Sequence, residues 1–116
     1  SAPVRLVGMF VCVLCVCLTQ SPLYLMLMAA IAPRLLYVAS ATEDYYADPE
    51  GEFLGAQAAG EAWKCFGGCG LGDAGFPAPG RLIGNEVGYY LRAGDHDITQ
   101  ENWDVLLSFI RKNFDI

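Results

Sequence analysis

The chain has 116 residues, 54% of them hydrophobic and 17% charged, with a net charge of −6 at neutral pH. That length holds one domain, which buries roughly two-thirds of its unfolded surface, and an acidic chain whose few cations include Lys64, Arg111 and Lys112 offers no positive patch for nucleic acid. The apolar fraction is high for so small a domain, so something is expected to cover the excess: a membrane, a second copy of the chain, or the remainder of a larger fold.

Leu6 to Leu18 is an almost unbroken apolar run, and after Thr19-Gln20-Ser21-Pro22 a second run extends from Leu23 to Ala32. Three readings stand side by side. As a signal peptide the first run has a suitable apolar core, but only Arg5 flanks it and no clear small-residue cleavage site follows. As a membrane helix either run falls short of the roughly 20 residues needed to span, and joining them puts Thr19 to Pro22 at mid-depth. As a buried strand followed by a packed helix the segment needs nothing unusual. Residues 1–27 are therefore set apart as an apolar segment, open between burial and membrane entry through residues 6–32, and residues 28–116 form the α/β portion.

Pro33 to Asp44 reads as a buried strand of mostly apolar residues that ends in the acidic loop Thr42-Glu43-Asp44. Asp48 and Pro49 suit the N-cap and first position of a helix on which Phe53, Leu54, Ala58 and Trp63 form an apolar stripe. Residues 67–86, rich in glycine and proline, are expected to form a long surface loop. Their Gly68-Cys69-Gly70 does not join a strand to a helix, and no Gly-Lys-Ser or Gly-Lys-Thr follows, so a phosphate cradle is not expected. Val87 to Arg92 is rich in β-branched and aromatic residues, as a strand against a core should be. Beyond it, Trp103, Leu106, Leu107, Ile110 and Phe114 recur at helical spacing, with Glu101, Asp104, Arg111 and Lys112 between them. Asp97 or Thr99 can cap that helix, and Glu101 complements its dipole.

The five cysteines fall in two groups: Cys12, Cys15 and Cys17 within the first apolar run, and Cys65 and Cys69 around a glycine-rich turn. Structural zinc sites favour polar knuckles, whereas the first group sits among Val, Leu and Phe, so small buried hydrophobes are the better reading and no metal is expected. A disulfide between Cys65 and Cys69 is feasible in an exported protein.

The order strand, acid, helix, loop, strand, histidine, helix is that of an α/β fold. In an open sheet of this kind both loops would lie at the carboxyl edge of their strands, where ligands bind. His96 is the sole histidine. A lone histidine is often a solvated or hydrogen-bonded loop residue, but imidazole on a loop held by a rigid scaffold also suits proton transfer near neutral pH. A carboxylate from the first loop, Asp44, would orient that imidazole and stabilise the imidazolium formed during transfer.

These residues resemble a family. Ile31-Ala32-Pro33-Arg34, Val38 to Asp44, Ala47 to Leu54, and Gly88 to Thr99 followed by Trp103 look like the carboxyl-terminal part of glucuronoyl esterases, in ordered blocks that cover roughly residues 28 to 114. The resemblance implies a partial α/β-hydrolase, a three-layer α/β/α sandwich fragment. It also implies a serine-type hydrolase that cleaves glucuronate esters between xylan and lignin alcohols, without metal or cofactor, in a secreted or periplasmic setting. On this basis His96 falls at the catalytic histidine and Asp44 where many members place the triad acid; some relatives use a glutamate from an earlier strand. Tyr46 stands where similar enzymes often carry a tryptophan beside the sugar, and tyrosine offers an aromatic face with a hydroxyl; a plain surface aromatic is the competing reading.

One departure is clear. The mechanism needs a serine on a sharp strand-to-helix turn beside backbone amides that hold the oxyanion. Ser1, Ser21, Ser40 and Ser108 are the only serines, and none lies between paired glycines. The chain alone is therefore expected to be inactive, with a partner or a missing hydrolase half supplying the nucleophile; a truncated or frame-shifted product would look like this. The alternative is a non-enzymatic scaffold descended from such an esterase, membrane-associated or oligomer-forming.

Overall fold

The structure, a computed structural model, describes residues 13–14, 22–45 and 48–114. Two central strands organise it. Strand β2 (Leu36–Ala41) is buried except for the half-buried Ala39, and strand β4 (Val87–Arg92) is buried throughout, as parallel strands covered on both faces should be. They pair in parallel, from Leu36 opposite Val87 to Ala41 opposite Arg92. The two-residue period then divides their side chains. Leu36, Val38, Val87, Tyr89 and Leu91 enter one core, and Tyr37 and Tyr90 enter another on the opposite face.

Strand β1 (Val13–Leu14) runs parallel to β2, and strand β3 (Leu82–Gly84) runs antiparallel to β4, giving the order β1-β2-β4-β3. Three helices cover the first face: α1 (Pro22–Ala29), α2 (Pro49–Ala59) and α3 (Glu61–Lys64), contributing Met28, Phe53, Ala56, Ala59 and Trp63 to its core. Helix α4 (Gln100–Phe114) covers the second with Leu106 and Phe109. The α/β/α layering expected from the sequence is present.

Several boundaries and faces differ from expectation. β2 starts at Leu36 rather than at Pro33, because the chain from Ala30 to Arg34 closes tight turns (Ala30 N–H to Met26 O, 2.9 Å; Arg34 N–H to Ile31 O, 3.0 Å) before Leu36 joins the sheet through Glu86 O. The stripe foreseen for α2 is rotated: Leu54 and Ala58 are exposed, while Glu52, Phe53, Ala56 and Ala59 face the sheet. Trp63 belongs to the separate α3, where its Nε1–H donates to Arg34 O at 2.9 Å. On α4, Trp103 and Leu107 face outward and the buried line is Leu106, Phe109 and Asn113. The cause lies in β4. Gly88 leaves a hollow that the Phe109 ring fills, so closely that a Cβ on Gly88 would sit 2.6 Å from it.

Residues 67–86 are not wholly loop, since Leu82, Ile83 and Gly84 pair with β4. Gly84 has φ +93°, and a Cβ there would lie 1.9 Å from Val87 O, so the tight return into β4 requires glycine. Cys65 and Cys69 are exposed free thiols, not a disulfide. Cys12, Cys15, Cys17 and most of the first apolar run lie outside the described residues. Of the second run, α1 has eight residues, with Met28 buried and Met26 and Leu27 exposed, and no helix among the described residues is long and apolar enough to cross a membrane.

Candidate active site

The carboxyl ends of β2 and β4 lie side by side, and their pairing continues into the loops that follow. Thr42 N–H donates to Arg92 O at 2.9 Å, Glu43 N–H to Gly94 O at 2.9 Å, and Gly94 N–H to the Thr42 hydroxyl at 3.0 Å. These bonds set the acidic loop and the histidine loop at a fixed offset. Asp44 and His96, 52 positions apart in sequence, meet there through Asp44 Oδ2 and His96 Nδ1.

Their environments differ in a useful way. Asp44 is 8% exposed, whereas the His96 side chain is 63% exposed. A buried acceptor at Nδ1 selects the tautomer with the proton on that nitrogen and leaves Nε2 as the basic position. The hydrogen bond to Asp44 and its charge raise the proton affinity of His96 above the ordinary imidazole value, with smaller contributions in the same direction from Glu52 and Asp97 and a small opposing effect of desolvation.

Helix α2 follows the acidic loop and packs against both central strands. Asp48 caps it, Oδ1 accepting from Gly51 N–H at 3.2 Å, and Pro49 takes the first helical position. Glu52, in that first turn and buried, accepts from the Ser40 hydroxyl at 2.9 Å, while Tyr89 Oη donates to Pro49 O at 3.0 Å. On the other side, the cap of α4 reverses the expected roles: Asn102 Oδ1 accepts from both the Thr99 N–H (3.0 Å) and the Thr99 hydroxyl (3.1 Å). Asp97 Oδ1 accepts from Ile98 N–H at 2.7 Å. Glu101 accepts from the Tyr90 hydroxyl, and burial, reinforced by that hydrogen bond and the charge of Glu101, pushes the phenol up to about 12.

A cavity of about 140 Å³ is lined by Asp44 and His96 together with Ala41, Ile98, Trp103 and Leu106 among others. Its apolar lining would shelter an uncharged group from water next to the imidazole. The structure thus brings together Asp44 and His96; Tyr46 lies outside the described residues. Ser40 lines the same cavity but is buried within β2 with its hydroxyl bonded to Glu52, and Ser108 is exposed on α4, so neither stands on the sharp strand-to-helix turn that a nucleophile of this mechanism needs. No group of three or more His, Cys, Asp or Glu among the described residues is arranged to hold a metal ion.

Two residues around the site were not singled out by sequence reasoning. Glu52 falls at helical spacing with Ala56 and Ala59, which marks it as inward-facing. Arg92 falls in alternation with Gly88 and Tyr90 on the α4 face of β4, so the period of the strand flags it as a buried cation.

An open sheet whose two central parallel strands end in a paired carboxylate and histidine defines part of an α/β-hydrolase. Comparison with known proteins gives the particular kind. No family model matches the chain. A carbohydrate esterase, MZ0003, from an unknown prokaryotic organism is 46% identical over 84 residues, which are 72% of this chain and 19% of that protein. A glucuronoyl esterase from Solibacter usitatus superposes with a TM-score of 0.73 at 43% identity, over 78% of this chain and 23% of its own. A promiscuous CE15 esterase from a marine bacterial metagenome gives 0.72 at 46% identity, over 77% and 22%. The chain resembles part of a glucuronoyl esterase in both sequence and fold, and spans about a fifth of the length of these relatives.

Proposed function

We propose that this chain supplies the acid and base of an ester-hydrolysing site for glucuronate esters of the kind that link xylan to lignin alcohols. The observation that carries the reading is the contact of Asp44 Oδ2 with His96 Nδ1 at the carboxyl edge of two parallel strands. Relatives named as glucuronoyl and carbohydrate esterases support it. In the reaction, His96 Nε2 takes the proton from a serine hydroxyl as the serine oxygen attacks the ester carbonyl. The imidazolium then returns that proton to the departing alcohol, while Asp44 holds the ring in its tautomer and steadies the charge. Water repeats the sequence on the acyl-enzyme, releasing the uronic acid.

The reading places the serine outside the described residues, because Ser40 and Ser108 are unsuited to the role. On this basis the described residues alone do not turn over an ester. The test is a chimera in which residues 28–114 replace the matching part of the Solibacter usitatus esterase, assayed on the benzyl ester of glucuronic acid. The chimera should hydrolyse it, and His96→Ala should lower kcat by about 10³-fold or more. A folded chimera that is inactive, or whose rate is unchanged by His96→Ala, refutes the proposal.

A further inference from the structure

The His96 side chain is mostly solvent-exposed, so packing of the ring does not fix the backbone that carries it. Backbone bonds hold the loop at Gly94, and a buried side chain bonds the carbonyls on either side of His96. Arg92, the last residue of β4, points to the α4 face and is 7% exposed. Its Nη1–H donates to Ala93 O at 3.0 Å, and Nη2–H donates to Asp95 O and, at 3.4 Å, to Asp97 O. His96 lies between the last two acceptors. No ion pair between Arg92 and a carboxylate forms among the described residues, although acidic side chains flank it in sequence. A buried guanidinium whose Nη donors go to backbone carbonyls fixes the path of a loop rather than neutralising a charge, and its planar fork suits several acceptors at once; its buried Nε–H has no partner among the described residues.

Gly94 supports this independently. It has φ +127°, a backbone conformation that favours glycine, and the position of its missing Cβ lies 2.7 Å from Arg92 Nη1, so the loop passes close over the guanidinium. The same residue binds the acidic loop, through Thr42 and Glu43. The guanidinium therefore lies at the junction of both loops.

We propose that Arg92 is a positioning residue of the site, holding the backbone on either side of His96 so that the imidazole meets Asp44. The inference rests on the acid–base reading of that pair. It has a spectroscopic test, because His96 is the only histidine and its ring resonances need no assignment. The imidazole is acted on by Asp44 from the β2–α2 loop, Glu52 from α2 and Asp97 from its own loop, all of which raise its proton affinity. Deleting a nearby cation can only raise it further, whereas releasing the loop from Asp44 lowers it. The two effects have opposite signs.

The ring of His96 would be titrated by NMR in the full chain and in its Arg92→Met, Arg92→Lys and Asp44→Asn variants. We expect Asp44→Asn to bring the titration down toward the ordinary value of 6.5, and both Arg92 variants to move it at least half that distance with backbone spectra still those of a folded chain. A titration in the Arg92 variants equal to or above that of the wild type overturns the inference. Should Arg92→Met fail to fold, Arg92→Lys, which keeps stem and charge but not the fork, decides by the same criterion. If Asp44→Asn leaves the titration unmoved, the pair itself fails; if it lowers the titration and the Arg92 variants do not, only the role of Arg92 fails.

Discussion

At Gly88 the absence of a side chain does as much for the site as any side chain present. The Phe109 ring lies where a Cβ would be, and this contact sets how near α4 approaches the sheet. Gly88→Ala forces ring or helix outward and should cost about 1–3 kcal/mol in a urea titration, the usual range for overpacking; an unchanged midpoint would contradict the packing. The pair at the loop tips has its own signature in stability. His96 holds its proton more tightly folded than unfolded. Below the unfolded pKa both states are protonated and the full contribution of the pair is present; as pH rises through the higher folded value the proton leaves and the contribution is lost. The stability gap between wild type and Asp44→Asn should therefore be wider at about pH 5.5 than at about pH 9, read from urea midpoints at both. Screening at an exposed imidazole keeps the gap small, and a gap that widens with rising pH would contradict the sign.

Helix α4 links core to site. Phe109 is fully buried against Tyr37, ring centroids 5.4 Å apart, and the same helix starts just after the His96 loop with its Asn102 cap. At its far end Asn113 Nδ2 donates to Asn85 O at 3.1 Å and Lys112 Nζ to Gly84 O at 2.8 Å, fastening it to the β3–β4 turn. Phe109→Ala should cost about 3–5 kcal/mol, a large part of the stability of a domain this size; circular dichroism in urea would show a much lower midpoint, and a loss below about 1 kcal/mol would mean that α4 is held otherwise. Strand β4 and helices α2 and α4 were legible from the sequence, since Val87 to Arg92, the Asp48-Pro49 helix start and the terminal amphipathic run carry their own signals. Which way the helices face was not. Trp103 and Leu107 satisfy the spacing as well as Phe109 does, and only the hollow at Gly88 selects among them. β3 stayed hidden because three residues amid glycines show no period.

At the scale of the molecule, the described residues form one sheet with a core on each face, which brings two sequence-distant loops to a single edge. The order of acid and histidine, and the parallel strands beneath them, could be read from the sequence because each loop follows an apolar run of strand length. The supports could not: the stitching of Thr42 to Gly94 and the path of the loop over Arg92 depend on strand register, which no spacing within either loop encodes. The contact between Asp44 and His96 matters most to the site, and the ring of the only histidine reports it. We predict that His96 in the wild-type chain titrates above 6.5 and that Asp44→Asn returns it toward that value. The same titration in both proteins would contradict the account, leaving an acid and a histidine that share an edge of the sheet without acting as a pair.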